Sequence, residues 1–77
     1  MKIRFYADRE NALTVHFEIW GGMHVLAAGD WIDVEFAESV VPSSVEHLPG
    51  ALVLTQEGAG VMRIRDSQGR EIDPAGG

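Results

Sequence analysis

The sequence contains no cysteine among its 77 residues. Disulfides and thiolate metal sites are therefore both excluded. A domain of this length buries only about 60% of the surface that its unfolded chain exposes. Small domains usually gain stability from disulfides, a metal or a partner subunit. With disulfides excluded, the length of the chain favours association with a partner.

Basic residues are absent from the whole middle of the chain. No Lys or Arg lies between Arg9 and Arg63, whereas eight acidic residues do, and the net charge is -6. The few cations lie in two distant segments, so they do not form the clustered patch that nucleic acid requires. An anionic membrane surface is disfavoured for the same reason. The simplest explanation is a sheet whose terminal strands carry the cations that offset an acidic middle.

Long apolar runs are also missing. None approaches the roughly 20 residues that span a bilayer, and the N-terminus, Met-Lys-Ile-Arg, lacks the apolar centre of a signal peptide. We therefore expect a soluble protein without a signal peptide or transmembrane segment, located in the cytoplasm or in a virion.

Two segments near the N-terminus alternate between apolar and polar residues. In residues 2–7 and 13–20 every second side chain is apolar, which is the period of a strand with one buried face. A short polar loop joins them, so the pattern predicts an antiparallel hairpin. In such a hairpin Glu18 lies across from Lys2 or Arg4.

The rest of the chain continues in short strands separated by turn residues. The sequence predicts a turn or bulge at Gly21-Gly22, a strand, tight turn and strand over 23–36, and a hairpin over 51–66. A type I turn at 66–69 and a short edge strand at 70–73 follow. Ser43 and Glu46 have the spacing of a capping box, which favours a single helical turn.

This pattern predicts an all-β fold. We expect a small antiparallel β-sandwich or barrel of about six or seven short strands with at most one helical turn. Residues 1–73 form a single β domain, and residues 74–77 form a flexible C-terminal tail.

One candidate site contains His16 and Glu18 on one strand face and His24 after the Gly-Gly pair. Imidazole and carboxylate ligands suit zinc or iron. Gly29-Asp30 after an apolar strand is similar to the first conserved motif of cupins, although the His-x-His pair of that motif is absent. The resemblance implies a small-ligand or metal-binding barrel. The alternative is a solvated His–Glu pair.

The terminal Gly76-Gly77 pair resembles that of ubiquitin-like sulfur carriers, in which the terminal carboxylate enters an activating site. This resemblance implies a β-grasp fold, whose helix needs about ten uninterrupted residues. The only segment with room for that helix, 37–50, contains Pro42 and Pro49. The other interpretation of the glycine pair is a loose tail.

The predicted interface consists of four large apolar residues that fall on the outward parity of their strands: Trp20, Trp31, Leu52 and Leu54. Contiguous apolar surface on a small domain usually marks an interface, and Trp is enriched at binding hot spots. The alternative is a sandwich or barrel that closes over one or both tryptophans. We therefore expect a non-catalytic protein-binding or assembly module without a cofactor that acts through its sheet faces or edges. Its partner is a second copy in a homodimer or a larger assembly of phage or secretion type.

Overall fold

The computed structural model describes residues 1–58 and 60–76, and the regular structure of these residues is entirely β. Eight strands follow one another along the chain: β1 (Lys2–Tyr6), β2 (Leu13–Glu18), β3 (Gly22–Leu26), β4 (Trp31–Glu35), β5 (Ser44–Leu48), β6 (Ala51–Thr55), β7 (Arg63–Asp66) and β8 (Glu71–Ile72). The predicted all-β class is confirmed.

The strands form two four-stranded sheets. Sheet A has the order β1-β4-β7-β8, and sheet B has the order β3-β2-β6-β5. Neighbouring strands are antiparallel except β2 and β6, which are parallel. The architecture is consistent with the predicted small sandwich, with one strand more than expected and one parallel pair.

The predicted hairpin of residues 2–7 and 13–20 is wrong. β1 pairs with β4 in sheet A, whereas β2 pairs with β3 and β6 in sheet B. Glu18 consequently lies opposite Thr55, and Arg4 lies opposite Asp33. The alternation predicts which side chains are buried. It does not predict which strands pair, because the same side chains are buried whether the two segments form one hairpin or lie in two facing sheets.

The predicted hairpin over 51–66 is wrong for the same reason, whereas the strand, tight turn and strand predicted over 23–36 are confirmed as β3, a turn closed by the Asp30 N–H to the Ala27 carbonyl, and β4. The connections from β3 to β4 and from β6 to β7 cross between the sheets. The hairpins in the structure join β2 to β3, β5 to β6 and β7 to β8. The turn at 66–69 is confirmed, because the Gly69 N–H donates to the Asp66 carbonyl at 3.0 Å. The predicted edge strand is also confirmed as β8.

The helical turn predicted from Ser43 and Glu46 is wrong, because Ser44–Leu48 form strand β5. β5 pairs antiparallel with β6 across a Pro49-Gly50 turn. Gly50 has φ 71°, which a type II turn requires at its third position. An isolated helical turn is marginal in water, so pairing with β6 outweighs the local capping signal.

The core lies between the sheets and is formed by alternate residues of both. Its buried apolar members are Ala7, Val15, Phe17, Leu26, Ile32, Val34, Phe36, Leu52, Leu54, Met62 and Ile64. Gln56 is buried among them and ties the sheets together. Its backbone N–H donates to the Glu18 carbonyl, and its Oε1 accepts from the Ala37 N–H, both at 3.0 Å.

The C-terminal segment forms a turn beside β3. The Gly76 N–H donates to the Asp73 carbonyl at 2.9 Å, and the Gly22 N–H donates to the Pro74 carbonyl at 2.8 Å. Gly77 lies outside the described residues, and the mobility of residues 74–77 stays a prediction.

Candidate interaction surface

The outer face of sheet A is a charged surface. Seven charged side chains project from it: Lys2, Arg4, Asp33, Glu35, Arg63, Arg65 and Glu71. The basic strands β1 and β7 flank the acidic strand β4, so cations and anions alternate across the sheet. The expectation that terminal strands offset acidic residues of the middle is confirmed on this face.

Arg4 makes the closest charged contacts of this face. Its Nε and Nη2 donate to the two Asp33 carboxylate oxygens at 2.6 and 3.0 Å. Its guanidinium carbon also lies 3.6 Å from the centre of the Trp31 ring, a cation–π distance. The hydrogen bonds from Arg4 lower the pKa of Asp33 below its ordinary value.

A second ion-pair group lies on the other side of the same face. Arg63 contacts the Glu71 carboxylate at 2.9 Å, and Arg65 contacts it at 3.7 Å. The hydrogen bond from Arg63 lowers the pKa of Glu71. Much of the charge on sheet A is thus paired within the sheet, as on a solvated face.

The outer face of sheet B differs in character. Its outward apolar side chains, which we call the apolar face, are Met23, Val25, Leu48, Ala51 and Val53. Met23 is 59% exposed, Val25 57% and Leu48 45%. Thr14 and His16 lie between these residues on β2. Glu46 lies directly opposite Val53 on β5, and Glu18 lies one row further along the sheet, opposite Thr55.

The structure places only part of the predicted interface outward. Trp31 lies on the outer face of sheet A under Arg4, whereas Trp20 is partly buried and packs against the core. The outward placement of Leu52 and Leu54 is wrong, because they are 5% and 0% exposed. That placement assumed a hairpin between residues 51–56 and 61–66, but the two segments lie in different sheets. Each segment therefore buries its own alternate apolar residues, Leu52 and Leu54 in the first and Met62 and Ile64 in the second.

The three residues of the candidate metal site do not converge. His16 and Glu18 project from the outer face of sheet B, whereas His24 lies opposite buried Val15 and faces the core side. No group of three potential metal ligands occurs among residues 1–58 and 60–76. His24 instead lies near Asp30, whose pKa is lowered mainly by a hydrogen bond from the Ser67 hydroxyl.

The β-grasp fold implied by the glycine pair is not observed. The described residues contain no helix, and segment 37–50 contributes strand β5. One glycine of the pair, Gly77, lies outside the described residues.

Sequence reasoning missed Met23 and Val25 as outward residues. Residues 23–28 form a short apolar run in the sequence, and its pattern does not show which side chains face outward. A signal was present, because residues 19–29 include no Asp, Glu, Lys or Arg. An exposed strand without any charge is unusual on a protein of net charge -6.

Comparison with family models, curated proteins and solved structures finds no match for this chain. Within the part of the chain that the structure describes, no helix is long and apolar enough to cross a membrane. The fold and the two contrasting faces therefore carry the functional argument.

Proposed function

We propose that this protein is a non-catalytic binding module that associates with a second copy of itself through sheet B. The observation that carries the proposal is the contrast between the sheets. Sheet A covers its outer face with ion pairs, whereas sheet B exposes Met23, Val25 and Leu48. Met23 and Val25 are neighbours on the outer side of β3, and exposed apolar neighbours on a small domain favour an interaction site.

The size and composition of the chain support self-association. Seventy-seven residues without cysteine form a small core, and association is one of the few remaining ways to add stability. A two-fold dimer is the commonest arrangement for such contacts. The β3 side of sheet B suits this role because residues 19–29 contain no Asp, Glu, Lys or Arg, so two copies of an acidic chain meet there with little charge to desolvate.

The shifted carboxyl groups give no support to a role as general acids. Each carboxyl group whose pKa is shifted among the described residues is shifted downward: Asp8, Asp30, Asp33, Asp66 and Glu71. A general acid needs the opposite shift, toward neutral pH. These groups are held ionised by hydrogen bonds, as structural carboxylates are.

Sedimentation equilibrium over a wide concentration range tests the proposal. We expect the mass to rise with concentration from the 8.4 kDa of the monomer toward that of a dimer. Val25→Lys places a charge on the apolar face and is expected to weaken association. Tyr6→Lys changes an equally exposed residue on sheet A and is expected to leave association unchanged.

Two results would overturn the proposal. One is a wild-type mass that stays at 8.4 kDa at every concentration. The other is association that Tyr6→Lys disrupts and Val25→Lys does not, since the contact would then lie on sheet A.

A further inference from the structure

The backbone of β2 shows which residues of this strand face each neighbour. The Thr14 N–H donates to the Gly50 carbonyl at 3.1 Å, and the Glu18 carbonyl accepts from the Gln56 N–H at 3.0 Å. Both bonds lie on the side of β6. Because N–H and C=O alternate sides along a strand, the even-numbered residues of β2 face β6 and the odd-numbered residues face β3.

This alternation determines the free side of β3. Val15 lies opposite His24, so the backbone groups of His24 point toward β2. The backbone N–H and C=O groups of Met23 and Val25 point the other way. Since β3 is at the end of sheet B, these groups lie on an open lateral edge.

Among the described residues, the C-terminal turn meets β3 at its first residue, Gly22. Gly22 shares the core-facing parity of Phe17, its partner on β2. A Cβ added at Gly22 would overlap the Pro74 carbonyl, so the turn lies on the core-facing side of β3. It is joined to β3 by the Gly22 N–H, which donates to the Pro74 carbonyl at 2.8 Å, and among the described residues it makes no backbone hydrogen bond to Met23 or Val25.

The other three sheet edges carry features that oppose strand pairing. β1 bears Lys2 and Arg4, and β8 is only two residues long. β5 bears Glu46 and lies between Pro42 and Pro49. Charge, proline and shortness are the means by which natural proteins protect an edge. β3 has five residues, Gly-Met-His-Val-Leu, and none of these protections.

The charge distribution favours a second copy as the occupant of this edge. Each chain carries a net charge of -6, so two copies repel each other over most of their surfaces. The charge-free segment 19–29 contains β3 and its hairpin turn. A strand without charges pairs with its own copy without placing like charges opposite one another.

We infer that β3 pairs antiparallel with β3 of a second copy about a two-fold axis at His24. The inference rests on the proposed self-association and names the strand through which it occurs. In this register Met23 of one copy exchanges backbone hydrogen bonds with Val25 of the other, and every free N–H and C=O of both residues is used. The two B sheets continue as one sheet, and both apolar faces lie on the same side of it.

The register makes a specific prediction about His24. The two His24 residues form the central non-hydrogen-bonded pair, with Cα atoms about 4.5 Å apart. That distance lies within the range of about 4.4–6.8 Å that a disulfide spans. Because the chain has no cysteine, a single introduced cysteine can form a disulfide only with the same position of a second copy.

Disulfide cross-linking of His24→Cys under mild oxidation is the main test. The matched control is His47→Cys, since His47 has the same core-facing parity on β5, the opposite edge of sheet B. We expect His24→Cys to form a covalent dimer in high yield, and His47→Cys to remain monomeric on a denaturing gel without reductant.

A second pair of variants tests the hydrogen bonds. Val25→Pro removes the outward N–H and leaves the pairing with β2 intact, as proline on an edge strand does. Val25→Ala shortens the side chain but keeps the N–H. We expect Val25→Pro to weaken dimerisation roughly tenfold to a hundredfold relative to Val25→Ala in sedimentation equilibrium.

The outcomes separate this inference from the proposed function. If the wild type associates but His47→Cys cross-links instead of His24→Cys, β5 is the contact and the inference is wrong. If the wild type associates while neither variant cross-links and Val25→Pro matches Val25→Ala, the copies meet face to face and the inference is again wrong. If the wild type is monomeric at every concentration, both proposals are wrong.

Discussion

At the scale of single residues, neighbouring positions on one strand have opposite environments. Phe17 is fully buried between the sheets, whereas Glu18 projects from the outer face of sheet B. The Phe17 side chain loses all contact with water on folding, whereas the Glu18 side chain is only partly buried. Hydrophobic burial, and not the ion pairs on the sheet faces, therefore supplies most of the stability at this strand.

Truncation of these two neighbours is expected to have unequal effects. Phe17→Ala should lower the free energy of unfolding by about 3–5 kcal/mol, because it leaves a cavity in the core. Glu18→Ala should change it by no more than about 0.5 kcal/mol. Urea denaturation followed by tryptophan fluorescence measures both values. Equal effects of the two substitutions would contradict the assignment of faces.

At the scale of elements, the contact between β3 and the C-terminal turn holds the sheets together at one side. Gly22 accepts this contact because it lacks a side chain where the Pro74 carbonyl lies. The neighbouring Gly21 has a different constraint, a φ of 82° with no atom within 4 Å of an added Cβ. Gly22 is thus required for space and Gly21 for its backbone conformation.

Alanine substitutions are expected to distinguish these reasons. Gly22→Ala should displace residues 73–76 and lower the free energy of unfolding by about 1–3 kcal/mol through overpacking. Gly21→Ala should lower it by about 1–2 kcal/mol through backbone strain alone. Amide hydrogen exchange provides the separate measurement: exchange of the Gly76 amide should accelerate in Gly22→Ala and remain unchanged in Gly21→Ala. Equal protection of that amide in both variants would contradict the prediction.

At the scale of the whole molecule, hydrogen-bonded carboxylates link stability to pH. Arg4 lowers the pKa of Asp33 below its ordinary value of 3.8, and the Arg70 backbone N–H lowers that of Asp66. At pH values between the folded-state pKa and the ordinary pKa of these groups, the folded protein therefore binds fewer protons than the unfolded chain. The stabilisation is complete above the ordinary pKa and is lost as the pH falls toward the folded value.

We accordingly expect the urea midpoint to fall as the pH is lowered through about 4. Asp33→Asn removes one of the responsible groups and should make this decline shallower. Carboxyl groups titrate between about pH 5 and pH 2. A wild-type urea midpoint that stays constant or rises as the pH is lowered through this interval would contradict the prediction. A decline of the same steepness in Asp33→Asn would remove Asp33 from the set of responsible groups.

The sequence by itself determined most of the strands, although not β5, and most of the buried parity. Val15 and Phe17 were predicted inward from alternation alone, because side chains on a strand alternate with a period of two whatever lies beside them. The turn at 66–69 was equally predictable, since it depends on neighbouring residues. The opposition of basic and acidic strands also followed from the positions of the charges along the chain.

The tertiary structure alone decided which strands share a sheet. The alternation of a strand shows which of its faces is buried. The same alternation occurs whichever strands pair with it, so the sequence pattern does not reveal its neighbours in the sheet. Leu52 and Leu54 were misplaced for this reason, because their parity was judged against an assumed partner. The open edge at Met23 and Val25 likewise exists only because β3 ends its sheet. Strand order, and with it the candidate contact surface, is a property of non-local packing.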